Sequence, residues 1–281
     1  MSSDPSLKRL LRQGNLAPHR QLGQNFLINP EIPERIVELA ALTPDDTVVE
    51  VGVGMGALTL PLARRVKKVV GIEIDSGIVR WHRQKGDLPA NVELVHADIL
   101  KLDLAELAAR CGGRLKLVAN LPYSVSSPVL FALLDHRRHV DTAVVMLQKE
   151  VADRLTARVS TREYGAITVR FALCAAIEQV LQVGPGNFHP RPKVASTVVA
   201  IHFRDGSTDA DEDAAVATMV KTAFLQRRKT VVNALAPLFS GKQAVLDLLN
   251  GCAISPRARA DQLAPEQYLA LARAASARDF P

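Results

Sequence analysis

The sequence predicts an α/β protein whose sheet is mostly parallel, with antiparallel last strands and a small all-α domain at the C-terminus. Between residues 47 and 147, short apolar runs alternate with segments of helical periodicity. This alternation is typical of a parallel sheet covered by helices on both faces. The polar, acidic stretch 205–213 is followed by helical periodicity alone, so we predict two domains, 1–207 and 208–281.

The first domain is predicted element by element from these periodicities. Residues 1–23 are a polar, basic arm with Lys8, Arg9, Arg12 and Arg20. A helix over 30–42 follows, with Pro33 in its first turn. The parallel strands are predicted at 47–51, 68–74, 92–96, 115–119 and 142–147, with helices between them at 57–65, 76–85, 103–110 and 127–134.

The far side of the sheet and the second domain complete this prediction. Residues 149–175 have mostly helical periodicity, and strands near 177–183 and 196–203 are close enough in sequence to form an antiparallel pair. The helices of the second domain are predicted at 214–225, 229–238, 243–249 and 265–275.

The composition is that of a folded, basic protein. A hydrophobic content of 48% with 23% charged residues excludes a disordered chain. The net charge of +6 suits a polyanionic partner, or simply a basic soluble protein. The three cysteines match no metal-ligand spacing and indicate reduced thiols in the cytoplasm, so we expect no structural metal. No signal peptide is expected, because the start Met1-Ser-Ser-Asp-Pro has no apolar stretch of the necessary length. No membrane span is expected, because no apolar stretch reaches about 18 residues.

Glycines and acids follow the first three parallel strands. The loop Gly52–Gly56 carries Gly52, Gly54 and Gly56, and glycines let the backbone approach a ligand closely. With Ala57 the string satisfies G-x-G-x-x-[GA], a dinucleotide fingerprint, so NAD binding is a rival interpretation. At the end of the second strand, Glu73 can accept hydrogen bonds from both ribose hydroxyls. Its neighbour Asp75 is better explained as the N-cap of the next helix.

The third strand ends at Asp98, whose carboxylate can accept from an adenine amino group, and the fourth ends in Asn120-Leu121-Pro122-Tyr123. In that second string, an amide and a backbone carbonyl can accept from the amine of a flat ring while the phenol stacks on its face. Adenine N6 is such an amine. An ordinary strand-to-helix turn with a buried Tyr is the alternative.

Whether NAD is the cofactor depends on the presence of a proton donor. A dehydrogenase needs one, such as a Tyr-x-x-x-Lys pair, and neither Tyr123 nor Tyr164 has a Lys four residues on. The four strand ends therefore suit S-adenosylmethionine better than a nicotinamide.

Seven strings, in order along nearly the whole chain, resemble those of the ribosomal RNA adenine-N6 dimethyltransferases, specifically the KsgA-type small-subunit enzymes. The resemblance implies the Rossmann-like sheet of S-adenosylmethionine-dependent methyltransferases. The family's glycine loop usually has Pro where Val53 stands, a small departure because the loop shape depends mainly on Gly52 and Gly54. The strings are Gly23-Gln-Asn-Phe-Leu27, Val49-Glu-Val-Gly-Val-Gly54, Ile72-Glu-Ile-Asp75, Asn120-Leu-Pro-Tyr123, Leu147-Gln-Lys-Glu-Val151, Phe188-His-Pro-Arg-Pro-Lys-Val194 and Phe224-Leu-Gln-Arg-Arg-Lys-Thr230.

The resemblance also implies roles for individual residues. Asn120 and the carbonyl of Leu121, at the rigid turn of Pro122, would hold the target amino group. Tyr123 would stack on the target base and Phe188 on its other face; alternatively, Phe188 covers the core. The cofactor would contact Asn25, Leu27, Gly52, Gly54, Glu73, Asp98 and Asn120.

Basic residues are candidates for contacts with RNA phosphate. They are Arg191 and Lys193 in the Pro-rich loop, and Arg227, Arg228 and Lys229 in the second domain, with Arg257 and Arg259 further on. Solvated surface charge is the alternative for both groups.

The resemblance implies an enzyme that dimethylates N6 of two adjacent adenines near the 3′ end of 16S rRNA during small-subunit biogenesis. Its partner would be small-subunit RNA or the immature subunit. One alternative is a large-subunit rRNA methyltransferase, as in the macrolide-resistance methylases. Another is a non-catalytic ribosome-assembly or transcription factor of the same fold. We expect a cytoplasmic monomer, since no exposed heptad or long apolar edge indicates self-association.

Overall fold

The computed structural model describes residues 5–14, 16–19, 22–206 and 210–276. The contacts divide the chain into two units. The first takes its residues from Met1–Ala152 and Glu178–Phe203, and the second from Asp153–Ile177 and Arg204–Pro281. The division at 207/208 stays a prediction; it differs from the division by contacts chiefly over 153–177.

The first unit is built on a sheet of seven strands with the order β4-β3-β2-β5-β6-β9-β7. The strands are β1 (Phe26–Leu27), β2 (Thr47–Val51), β3 (Lys68–Glu73), β4 (Val92–His96), β5 (Leu115–Asn120), β6 (Val140–Gln148), β7 (Ala175–Val183), β8 (Phe188–His189) and β9 (Ser196–Phe203). Strands β2 to β6 pair in parallel, and β9 is antiparallel to β6. The predicted α/β fold with a mostly parallel sheet is confirmed.

Helices connect the strands. They are α1 (Pro5–Gln13), α2 (Glu31–Leu39), α3 (Thr59–Arg65), α4 (Ser76–Lys85), α5 (Leu104–Arg110), α6 (Ser126–Asp135), α7 (Lys149–Leu155), α8 (Ala166–Cys174), α9 (Ala210–Leu225), α10 (Val231–Leu235), α11 (Lys242–Gly251) and α12 (Pro265–Ser276). Local chemistry sets several of their ends. Asp75 and Asp103 cap the N-termini of α4 and α5 with their carboxylates, and Gly86 ends α4 in the left-handed conformation.

Three parts of the structure differ from the prediction. Much of the basic arm is helix α1, because Leu7 and Leu11 are buried with Phe26 and Ile78 as an apolar stripe. Residues 149–175 form two helices with a non-helical segment between them. Strands β1 and β8 have two residues each, too few to show periodicity in sequence. Of the basic arm, Arg20 lies outside the described residues, as do the side chains of Lys8 and Arg12.

The second unit has its own apolar core. Its helices bury Tyr164, Met219, Leu235 and Tyr268 in one cluster. The two tyrosine hydroxyls donate to the backbone carbonyls of Leu263 and Ala260 at 2.8 Å. These buried polar groups are therefore satisfied within the unit.

Two features are absent from the described residues. No helix there is long and apolar enough to cross a membrane. That part of the chain also has no group of three or more His, Cys, Asp or Glu side chains placed to hold a metal ion.

Candidate active site at the carboxyl ends of the parallel strands

The site lies where the strand order reverses. From β2, the chain proceeds through β3 and β4 in one direction along the sheet and through β5 and β6 in the other. Ligands of open α/β sheets bind in the crevice outside such a switch point. An open cleft of about 1040 Å³, including its mouth, occupies this position. All seven residues predicted to contact the cofactor line it: Asn25, Leu27, Gly52, Gly54, Glu73, Asp98 and Asn120.

The glycine loop follows β2 and forms one wall of the cleft. Gly52, Gly54 and Gly56 have φ angles of +82°, +54° and +81°, a region that favours glycine. The amide of Gly54 donates to Glu73 Oε2 at 2.9 Å. Val53, which replaces the family's usual Pro, is buried beside Gly71, where a Cβ would come within 2.6 Å of its Cγ2. The absence of a side chain at Gly71 thus accommodates Val53.

The two acids after β3 have different roles in the ligand-free chain. Asp75 Oδ1 accepts from the amides of Gly77 and Ile78, so its interpretation as an N-cap is confirmed. Glu73 Oε1 accepts from the amide of Asp75 at 2.8 Å. Burial raises the pKa of Glu73, while the two backbone hydrogen bonds oppose the rise. A carboxylate oxygen accepts more than one hydrogen bond, so both oxygens of Glu73 can still take ribose hydroxyls.

Asp98 stands at the entrance to a short 3₁₀ helix after β4. Its Oδ1 accepts from the amide of Leu100 at 3.0 Å, which fixes the carboxylate beside Ala97 and Ile99 in the cleft. Ile74 also lines the cleft and is 47% exposed. Sequence reasoning missed Ile74 and Ile99, although a large apolar residue beside a binding acid at a strand end is a usable signal for the face of a flat ring.

Asn120 ends β5 with its amide orientation determined by another loop. Its Nδ2 donates to the backbone carbonyl of Asn25 at 3.2 Å, and Asn25 Nδ2 in turn donates to the carbonyl of Gly23. Because Nδ2 is engaged, the amide presents Oδ1 as an acceptor. An acceptor is the group that an adenine amine requires.

The rest of the turn places an aromatic ring beside that acceptor. Leu121 is buried, and Pro122 and Tyr123 line the cleft. The Tyr123 hydroxyl and the Ser196 Oγ are 2.7 Å apart. Burial raises the pKa of the phenol. Tyr123 therefore contributes a neutral ring held at its hydroxyl end, which is suited to stacking.

Glu50 is a cleft residue that sequence reasoning missed. It is 1% exposed, and neither carboxylate oxygen has a hydrogen-bond partner among the described residues. Burial raises its pKa to about 8, with nearby Thr59 opposing the rise and the charge of Glu73 adding to it. A buried carboxyl without a partner is costly, and a cationic ligand group would satisfy it. The α-ammonium of S-adenosylmethionine is such a group, so the residues present fit this cofactor.

The comparisons with known proteins agree with this geometry. The family model described as ribosomal RNA adenine dimethylase matches residues 15–276. The chain belongs to this family. Ribosomal RNA small subunit methyltransferase A of Desulfotalea psychrophila is 45% identical over 84% of this chain and 80% of its own length.

Solved structures of two dimethylase relatives have the same fold. A dimethyladenosine transferase from Plasmodium falciparum has a TM-score of 0.77 at 27% identity, covering 91% of this chain and 98% of its own. The 23S rRNA methyltransferase ErmE has a TM-score of 0.65 at 26% identity, covering 89% and 98%. The predictions of the family, of an enzyme and of S-adenosylmethionine as cofactor are confirmed.

Phe188 differs from its expected place in this dimethylase. It is 3% exposed and packs in the apolar core, because β8 pairs with β1 and sets Phe188 opposite Leu27. The alternative, a loop aromatic that covers the core, describes this structure. Stacking on a base stays a prediction that requires the ring to leave this position. Arg191 and Lys193, in the same loop, are exposed.

Arg227 is also placed differently from the prediction. Its Nη1 donates to the carbonyl of Arg162 at 2.7 Å, and Nη2 donates to the carbonyl of Thr161 at 2.8 Å. The guanidinium also pairs with Asp261 at 3.2 Å. Arg227 therefore joins protein segments, and its contact with RNA phosphate stays a prediction.

Those contacts bring three segments of the second unit together. Besides the bonds of Arg227, the amide of Ser160 donates to the carbonyl of Asp261, and Thr230 forms a bridge with Arg259. We call segments 158–162, 226–230 and 257–261 the three-segment basic surface. Its one acid, Asp261, is paired with Arg227, and its exposed cations are Arg158, Arg162, Arg228, Lys229, Arg257 and Arg259.

Proposed function

We propose that this dimethylase methylates N6 of two adjacent adenines near the 3′ end of small-subunit rRNA, with the immature subunit as its substrate. The observation that carries the proposal is the amide of Asn120. Its Nδ2 is engaged by Asn25, and its Oδ1 accepts in the same cleft as Glu73 and Asp98. The name of the Desulfotalea psychrophila relative, ribosomal RNA small subunit methyltransferase A, supports the choice of RNA.

The chain's contribution to the chemistry is to hold the acceptor amine. S-adenosylmethionine supplies a methyl group on a sulfonium, which is already a good electrophile. The two N6–H groups would donate to Asn120 Oδ1 and to the Leu121 carbonyl, which favours a pyramidal nitrogen with its lone pair free. The bound cofactor would supply its methyl group to the N6 lone pair and leave as the neutral thioether, and N6 would release one proton to solvent. In-line positioning at about 3–3.5 Å supplies most of the rate enhancement.

A paired base cannot reach this cleft and must be flipped out. Tyr123 offers one face for it, and its hydroxyl is held by Ser196. Base stacking on an aromatic side chain is worth about 1–3 kcal/mol. Phe188 would supply the second face only after the β1–β8 pair separates, which would couple base entry to the β1 segment that carries Leu27.

The basic residues would hold the RNA outside the cleft. We assign phosphate contacts to Arg191 and Lys193 in the first unit, and to Arg228 and Lys229 with the rest of the three-segment basic surface in the second. Six exposed cations with their single acid already paired make a strongly positive surface. Such surfaces bind phosphate in a salt-dependent manner.

The large-subunit alternative retains a specific observation in its favour. The 23S rRNA methyltransferase has the same fold at 26% identity. The cleft chemistry is common to both targets, because both are adenine amines. The 45% identical small-subunit relative favours the small-subunit target over this alternative.

The experiment offers tritiated S-adenosylmethionine with three substrates: naked small-subunit RNA, naked large-subunit RNA and immature small subunits. We expect label only in the immature small subunit, and nuclease digestion should recover two adjacent dimethyladenosines near the 3′ end. The Asn120→Ala variant is the blank. Label in naked large-subunit RNA would establish the alternative target.

A further inference from the structure

His82 has a buried imidazole that contacts the glycine loop, Gly52–Gly56, from outside the cleft. It lies in α4 and is 3% exposed. Its Nε2 is 2.8 Å from the carbonyl oxygen of Gly54, and its Nδ1 is 2.8 Å from Oδ1 of Asp87. His82 does not line the cleft, whereas Gly54 does. Any effect on the cofactor must therefore pass through the loop.

The partner of Nε2 is a backbone carbonyl, which accepts hydrogen bonds and cannot donate. This contact is therefore a hydrogen bond when Nε2 carries hydrogen. Oδ1 of Asp87 lies at Nδ1, on the other side of the ring. Asp87 thereby orients the ring, and Nε2–H is directed at the glycine loop.

The Gly54 residue is held on both sides. Its carbonyl accepts from His82, and its amide donates to Glu73 Oε2 at 2.9 Å. Its φ of +54° is a conformation that glycine adopts readily, and the two hydrogen bonds hold the residue there. A continuous hydrogen-bonded chain therefore runs from Asp87 through His82 and Gly54 to the carboxylate of Glu73.

We infer that His82 is a positioning residue for S-adenosylmethionine, acting through Gly54 to hold the glycine loop and Glu73 in their binding geometry. Without the Nε2–H donor the Gly54 carbonyl would lose this hydrogen bond, and the loop would be free to shift. The cofactor would then bind to a loop that must first be reordered. RNA affinity, which depends on other residues, would not change.

The test compares two replacements at one position by calorimetry with S-adenosylhomocysteine as the probe. His82→Leu fills the site without a donor, and the Kd should rise roughly tenfold. In His82→Gln the amide nitrogen takes about the place of Nε2, and the Kd should stay within about twofold of the wild-type value. Arg83→Ala, an exposed neighbour in the same helix, is the matched control and should bind as wild type.

Kinetics separate positioning from a purely structural role. In His82→Leu the KM for S-adenosylmethionine should rise while the KM for RNA and kcat at saturating cofactor stay unchanged. Equal affinity of His82→Leu and wild type, or equal weakening in His82→Gln and His82→Leu, would overturn the inference. If His82→Leu does not fold, Asp87→Ala replaces it: the disoriented ring should weaken binding several-fold, and wild-type affinity there would also refute the role.

Discussion

At the scale of single residues, the site is defined by which polar atoms already have hydrogen-bond partners within the protein. Asn120 donates to Asn25 and so presents an acceptor, and Tyr123 is held at its hydroxyl by Ser196. Glu50 has no partner among the described residues and lies in the cofactor cleft. The first two observations concern the target base and the third concerns the cofactor, so they can be tested separately.

Tyr123 separates base stacking from cofactor binding. We expect Tyr123→Ala to lose about 10- to 100-fold in methylation of its RNA substrate, because stacking is lost. Tyr123→Phe keeps the ring, loses only the hydrogen bond to Ser196 and should retain most of the activity. Calorimetry should give a wild-type affinity for S-adenosylmethionine in both variants. Loss of cofactor binding in Tyr123→Ala would contradict the assignment.

Glu50 predicts a pH dependence. Its pKa is raised to about 8 in the folded chain, so the folded state binds the proton more tightly than the unfolded state. The stabilisation is present at low pH and is lost as the pH rises through about 8. The melting temperature of the ligand-free protein should therefore fall from about pH 6 to about pH 8, and less steeply in Glu50→Gln.

The cofactor should show the opposite dependence on pH. Its ammonium group pairs with the ionised carboxylate, so its affinity should rise over the same range. Glu50→Gln should bind roughly 10-fold more weakly at about pH 8.5, because a hydrogen bond to a charged group is lost. Identical pH profiles for the variant and wild type would remove Glu50 from the cofactor site.

At the scale of elements, strand ends and short segments bring distant residues together. The carboxyl ends of β2 to β5 carry the glycine loop, Glu73, Asp98 and Asn120 to one edge of the sheet. In the second unit, Arg227 joins three segments and leaves their other cations exposed. Neighbouring arginines in one string thus have different roles.

Substitutions in the string Gln226–Lys229 can separate a role in stability from a role in RNA binding. Arg227→Ala should lower the free energy of unfolding by about 2 kcal/mol, because the hydrogen bonds to Thr161, Arg162 and Asp261 are lost. Arg228→Ala/Lys229→Ala should keep wild-type stability, but the slope of log K against log salt for RNA binding should fall by about 2. Lys221→Ala/Lys242→Ala, outside the three-segment basic surface, is the control. An unchanged salt slope in the first pair would exclude its phosphate contacts.

At the scale of the whole molecule, the two units carry different functional features. The sheet of the first unit forms the methyl-transfer cleft, and the second unit carries the three-segment basic surface. The net charge of +6 agrees with a polyanionic substrate. The contacts of segment 153–177 group it with the C-terminal helices, because Tyr164 and Val169 are buried in the core that those helices form. Apolar periodicity alone cannot reveal which of two cores a helix joins.

Most of the residues predicted to contact the cofactor line one cleft, and they were predictable because each signal is local in sequence. The glycine loop, Glu73, Asp98 and Asn120 each follow a recognisable strand, and parallel strands end at one edge. Glu50 was missed because it lies within an apolar strand, where a partner would normally be assumed. The burial of Phe188 was not predicted, because it depends on a two-residue strand pair that has no periodicity.

The sequence by itself determined the fold class, the residues at four strand ends and the family, because these depend on alternation and motifs within short windows. The tertiary structure alone decided the orientation of the Asn120 amide, the burial of Phe188, the engagement of Arg227 and the contact of His82 with the glycine loop. Each of these depends on a partner far along the chain: 95 residues for Asn120 and Asn25, and 28 for His82 and Gly54. Hydrogen-bond partners at such separations are set by folding, and no local pattern records them.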